Sequence, residues 1–173
     1  WQDDVIPGTS QNGFGDILAS AWYSRTTEAD LTWGVGPVLR IPTNTDVSGE
    51  TWAAGVTGIV LKQTGPWTYG ALANHLWDFE SNPTTPTNAT FIQPFVAYST
   101  ENAWTFSLQS ETTYDWEAKN WSVPLNASVS KLAIISGRPV NFQGGVGYWL
   151  ESPDGGPQDF RFRLQVQFVF QKS

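Results

Sequence analysis

The chain has no cysteine and no methionine, a single histidine, and only nine lysines and arginines in 173 residues. Without cysteine there are no thiolate nucleophiles, no disulfides and no cysteine metal sites, which fits an oxidising compartment. A net charge of -7 with so few basic residues argues against nucleic acid as a partner, because phosphate binding is carried by Lys and Arg. Charged residues make up 14%, against roughly a quarter in an average soluble domain. No apolar run approaches the roughly 18 residues of a membrane helix, so any membrane crossing has to use strands. The opening stretch WQDDVIPGTS has no basic or apolar leader region and no initiator Met, and reads as the start of a processed or truncated product.

What the chain does contain is ten Trp, ten Phe, sixteen Gly and eleven Pro. Turn-like clusters punctuate it at RTTEAD (25–30), TNTDVSGE (43–50), QTGP (63–66), SNPTTPTN (81–88), STEN (99–102), EAKN (117–120), SGRP (136–139) and SPDGGPQ (152–158). These turns predict about nine strands in one domain, 1–173, with residues 1–12 as an external segment leading into the first strand. The stretches between turns are rich in Val, Thr and aromatics and are interrupted by Gly or Pro, which disfavours helix.

Period-two alternation is clearest at the C-terminal end. Phe160, Phe162, Leu164, Val166, Phe168 and Phe170 share one face, opposite Arg161, Arg163, Gln165 and Gln167. The same pattern places Arg40 opposite Leu39 and Ile41, Glu111 and Asp115 opposite Tyr114 and Trp116, and Glu151 opposite Tyr148 and Leu150. The strands expected over 52–63 and 67–79 have mixed faces, and alternation does not assign their inside. A strand from Phe160 to Phe170 is roughly 35 Å long and, tilted by about 45°, spans roughly 25 Å, the height of an outer-membrane apolar band. Trp52, Trp67, Trp77, Trp104, Trp116 and Trp121 sit beside turns, where the two membrane interfaces favour amphipathic rings; the same placement also suits the ends of a soluble barrel core.

The stretches GFGDI, WGVGPVLRIPT, VLKQTGPWTYGALANHLW, FIQPFVAYST, SETTYDWEAKNWSVPLNASVSKL and YWLESPDGGP closely resemble the outer-membrane proteins grouped under the meta-pathway of phenol degradation, over residues 7 to 170. The resemblance implies an all-β, antiparallel, up-and-down transmembrane β-barrel in the outer membrane of a Gram-negative bacterium, with a role in moving hydrophobic or aromatic small molecules. It covers only the C-terminal part of that family's longer members, which end at an aromatic strand terminus where this chain continues with Gln171, Lys172 and Ser173.

Short turns alternating with long ones put the C-terminus on the periplasmic side, with EAKN as a short exception outside. Nine strands would leave the termini on opposite sides, so the barrel is expected to be completed by upstream strands, by irregular pairing of the N-terminal segment, or by partner chains or further copies. Arg40, Glu111, Asp115, Glu151, Arg161 and Arg163 are the expected lumen residues, and the six tryptophans the expected interface belt facing membrane lipid. The leading function is passive passage of small, hydrophobic or aromatic solutes; the alternative is a structural outer-membrane assembly that conducts nothing. A soluble sugar-binding sandwich is a third reading.

Catalysis has little sequence support. His75 is expected to make a lumen hydrogen bond; a triad with Asp78 or Asp16 is formally available, but no GxSxG elbow exists. GFG and GVG lack the following helix of a phosphate loop, and no cofactor or calcium-loop motif is present, Asp154 being at most a weak cation ligand. Asn88, Asn120 and Asn126 each open an N-x-S/T triplet, a pattern common by chance.

Overall fold

The structure is a computed structural model and describes residues 15–43, 45, 51–80 and 86–168, together with the backbone at 2–3 and 12–13. The expected assignments for the rest of the 1–12 segment and for Phe170 to Ser173 lie outside the described residues, as do parts of the 43–50 and 81–88 loops. The strands are β1 (Gln2–Asp3), β2 (Asn12–Gly13), β3 (Ile17–Ser20), β4 (Tyr23–Thr26), β5 (Leu31–Ile41), β6 (Ala53–Thr64), β7 (Trp67–Asp78), β8 (Asn88–Ser99), β9 (Trp104–Ser110), β10 (Thr112–Asp115), β11 (Asn120–Ile135), β12 (Arg138–Glu151) and β13 (Phe160–Phe168). The fold is all-β. β1 pairs with β2 alone, and the other eleven stretches form one up-and-down antiparallel sheet.

Those eleven stretches amount to nine strands, because two of them are interrupted without a change of register. β3 and β4 pair with β5 in one continuous frame, from Ile17 opposite Ile41 to Thr26 opposite Thr32. The gap at Ala21 and Trp22 faces Gly36 and Pro37, and proline has no N–H to give the ladder. β9 and β10 likewise keep one frame against both β8 and β11. At their gap Pro124 on β11 lies opposite Glu111 and Pro94 on β8 opposite Ser110, and the Glu111 N–H reaches the Pro124 carbonyl only at 3.4 Å.

Within the described residues the sheet has two free edges, β3 with β4 on one side and β13 on the other. Nine alternating strands leave these edges running in the same direction, so they cannot pair antiparallel with one another.

The turns explain themselves locally. Ser136 and Gly137 both have positive φ, 51° and 77°, as a two-residue type I′ hairpin requires. Thr27 to Leu31 and Thr100 to Trp104 share another design: the threonine N–H bonds the carbonyl four residues on, and its hydroxyl accepts from the returning N–H at 3.2 and 3.1 Å. Each of these turns ends on a left-handed residue, Asp30 or Ala103, both with φ 58°. Alanine lacks the side-chain oxygen that eases this conformation, so Ala103→Gly is expected to raise stability by about 1 kcal/mol in equilibrium denaturant unfolding; an unchanged or lower midpoint would mean the turn is not left-handed there.

Register assigns every strand residue to one of two faces. One carries Val35, Val56, Val60, Ile92, Val96, Leu108, Leu125, Val129, Phe142, Val146, Phe162 and Leu164, and the other mostly Thr, Ser, Gln, Asn, Gly and the strand arginines. The apolar face is the more open one: Phe162 and Leu164 are 83% and 91% exposed, whereas Thr57 on the other face is 4% exposed. Curvature is the physical cause. Second-neighbour strands in a flat sheet lie roughly 9.5 Å apart, yet Cα atoms of β5 and β7 come within 8 Å of each other. The sheet curls around its polar side, and the buried cluster Val38, Ala53 and Leu76 sits inside that curl at the long-loop end.

Candidate functional site on the sheltered polar face

A hydrogen-bonded ladder crosses this face from β8 to β13. The Arg161 guanidinium reaches past Gly147 on β12 to Asn126 on β11, donating to Oδ1 from Nε at 3.2 Å and from a terminal nitrogen at 2.8 Å. It also pairs with Glu111 Oε2 at 2.8 Å. Gln109 Nε2 donates to Glu111 Oε1 at 3.2 Å, and Gln93 Nε2 to Gln109 Oε1 at 3.3 Å. A second rung joins Gln143, Ser128 and Ser107, at 2.8 and 2.6 Å.

Small residues and prolines make the ladder. A Cβ on Gly147 would lie 2.4 Å from Asn126 Oδ1 and 2.9 Å from Arg161 Nε, so any larger residue there would make these two side chains shift. Pro124 opposite Glu111 and Pro94 opposite Ser110 break the neighbouring backbone pairing, and alternation puts the Glu111 carboxylate on the side of Arg161. With both partners of the pair partly exposed, it is worth on the order of 1 kcal/mol. The Arg161 guanidinium also stacks over Trp149 at 4.9 Å. Arg163, two residues on, is exposed, and with Arg161, Gln109, Ser128 and Gln143 it lines a small cleft of about 30 Å³.

The other half of the sheltered face differs. Ile59, Leu61, Leu72, Phe91 and Phe95 fall on it by register, none of them fully exposed. An apolar strip on β6 to β8 therefore runs beside the polar ladder of β9 to β13. Alternation missed this strip because β6 and β7 carry small or apolar residues on both faces. The available signal was the ladder itself, since Phe95 lies opposite both Gly70 and Gln109.

The expected lumen residues part company. Arg161, Arg163 and Glu111 meet at the ladder. Arg40 lies on the same face but is committed to the long-loop end, 3.5 Å from Asp16 and donating to the Thr51 carbonyl at 3.1 Å and Thr87 Oγ1 at 2.5 Å. Asp78 completes that cluster by accepting the Thr87 N–H at 2.7 Å. The Asp115 carboxylate is used on its own turn, accepting the N–H groups of Glu117 and Ala118 at 2.8 and 2.9 Å. Glu151 is displaced: the β11–β12 register slips by one at Leu150, which brings Glu151 opposite Val123 of the apolar face.

His75 stands apart from these residues. It lies on the apolar face, where its Nδ1 shares a hydrogen bond with Thr90 Oγ1 at 2.8 Å and its ring sits 5.3 Å from that of Trp77. Asp78 and Asp16 belong to the Arg40 cluster on the opposite side, so neither is placed to form a triad with it. No group of three or more His, Cys, Asp or Glu poised for a metal occurs among the described residues.

The aromatics form two belts on the apolar face. Near the short turns, Trp67 meets Tyr98 edge-on at 4.9 Å, Lys131 Nζ lies 5.2 Å over Trp104, and Tyr23 meets Trp33 at 6.0 Å. Near the long loops, Tyr114 contacts Trp116 and Trp121 at 4.8 and 4.6 Å, Trp116 Nε1 donates to Thr90 Oγ1 at 2.9 Å, and Trp77 lies beside His75. Trp52 precedes β6, with its backbone N–H on Glu80 Oε1 at 2.9 Å. The tyrosines and Trp33 complete belts that turn proximity alone had populated only with tryptophan. Compared with known proteins, the chain matches no family model, no curated protein and no solved structure.

Proposed function

We propose that this chain forms part of an outer-membrane β-barrel that lets small, partly apolar solutes diffuse along its sheltered face. The observation that carries this reading is the inverted polarity of the sheet, with its large apolar side chains open and its Ser, Thr, Gln and Asn side sheltered. In water that arrangement leaves an extended apolar surface uncovered, whereas in a bilayer it faces hydrocarbon. The belts support it: Trp67 and Trp77 are ten residues apart on β7, about 34 Å of strand, or roughly 24 Å across a bilayer at a 45° tilt. The resemblance to the meta-pathway family points the same way. Inside, the apolar strip beside the Arg161 ladder suits a solute with one hydrophobic and one polar side, such as an aromatic compound bearing an acidic or hydroxyl group.

Reconstitution into vesicles tests the membrane half of this reading. Tryptophan fluorescence is expected to be quenched most by lipids brominated near the headgroup and least by lipids brominated at the chain ends. A protein that stays soluble without detergent and feels no quencher would sink it.

The second reading, a structural assembly, is favoured by the two edges that run in the same direction. Antiparallel closure needs an odd number of further strands, and copies sharing one membrane orientation could join these edges only in parallel. Planar-bilayer recordings separate the two readings: stepwise conductance supports passage, and its absence from inserted protein supports the structural role.

A further inference from the structure

A groove of about 580 Å³ indents the apolar face, between Val56, Val60 and Trp33 on its walls and Gly58, Ala71 and Ala73 on its floor. We infer that it seats one phospholipid, with an acyl chain along the floor and the phosphate on His75; this rests on the membrane reading above.

Gly58 is the first reason. Strand-interior glycine weakens a sheet and marks a close approach of backbone or ligand. At Gly36, Gly55 and Gly70 a Cβ would strike neighbouring backbone at 1.7, 1.8 and 2.2 Å. At Gly58 the nearest atom is the Gly34 carbonyl oxygen at 3.7 Å, so nothing in the chain requires glycine there. What the missing side chain does is keep the groove open, and its register partner Ala73 continues the same floor.

The polarity gradient is the second. His75 and Thr90 close one end of the groove, and their shared hydrogen bond ties up Nδ1. In the tautomer where Nδ1 accepts from the Thr90 hydroxyl, Nε2 carries a proton and is free to donate to an oxygen anion. His75 stands two residues from Trp77, at belt level, while Ala71 stands four residues from Trp67 in the other belt. The groove therefore runs about 13 Å along β7 from the long-loop belt, with one polar end at His75 and Thr90 and an apolar remainder that reaches Trp33. That is the shape of an amphiphile entering from one leaflet.

The test uses the full chain purified in detergent and titrated with phosphatidylglycerol or with diacylglycerol of the same chains, with bound lipid counted by native mass spectrometry. The wild type is expected to retain one phosphatidylglycerol in preference to diacylglycerol. Gly58→Val, which fills the floor with a strand-favouring side chain, is expected to weaken retention about tenfold or more. His75→Phe is expected to keep chain binding while losing the preference for the phosphate. Wild-type retention by Gly58→Val, or an unchanged preference in His75→Phe, overturns the proposal. So does a wild-type dimer that Gly58→Val splits, which would assign the groove to a second copy. Flotation of the same variants with liposomes keeps the two readings apart: variants that float and bind no lipid refute only the groove, and a wild type that does not float refutes both.

Discussion

Gly55→Ala is expected to abolish folding of this sheet, with a loss of about 3 kcal/mol or more. A Cβ at Gly55 would lie 1.8 Å from the His75 carbonyl oxygen, 2.8 Å from its carbon and 3.0 Å from Leu76 Cα. All three are backbone atoms, so no rotamer change relieves the overlap, and β6 must move away from β7. The movement would open the sheet at its best-sheltered place, beside Ala53 and Leu76 and under the Arg40 cluster. Gly58→Ala, three residues along the same strand, is the control: its Cβ meets nothing closer than 3.7 Å, and it should leave stability within about 0.5 kcal/mol or improve it. Refolding yield in detergent, followed by near-ultraviolet circular dichroism, compares the two. If Gly55→Ala refolds like the control, β6 and β7 do not approach this closely, and the curl that shelters the polar face loses its cause.

Replacing Arg161 is expected to change both stability and ion preference. In Arg161→Met, Asn126 Oδ1 loses both of its donors and Glu111 Oε2 keeps only Asn126 Nδ2 at 3.5 Å, in a part-buried site, at a cost of about 1–2 kcal/mol. On the proposed passage along the sheltered face, that face also loses a cation and uncovers a carboxylate, so the reversal potential in a salt gradient should move toward cation preference. Arg161→Met combined with Glu111→Gln should recover most of the stability, and the cycle should give a coupling near 1 kcal/mol. Arg163→Gln is the informative contrast. That side chain is exposed, so stability should hold within about 0.5 kcal/mol while ion preference shifts in the same direction. A stability loss at Arg161 with no change in selectivity would make the ladder a structural brace.

The two substitutions draw on different kinds of information. That Arg161 and Arg163 oppose Phe160 and Phe162 follows from period-two alternation, a property of a few consecutive residues, and the turn clusters likewise bounded nine strands. That Arg161 meets Glu111 required four strands to be laid side by side. No local pattern relates residues fifty positions apart, and no alternation rule identifies Gly147 as the gap between them. Arg40 looked equivalent to Arg161 along the chain, yet Thr87, from the loop before β8, holds it at the long-loop end, away from the ladder. Asp115 was spent on its own turn, where its carboxylate accepts from the N–H groups of Glu117 and Ala118.

The sequence by itself determined the all-β class, the strand boundaries and the alternating composition of the later strands, because turn chemistry and a period of two act between near neighbours. Tertiary structure alone decided which face is sheltered, on which side His75 stands and where Glu151 points. Those outcomes depend on how closely separate strands approach and on a single-residue slip at Leu150, and both arise only once the backbones meet: glycines without a Cβ let β6 close on β7, and prolines without an N–H open the ladder at Glu111.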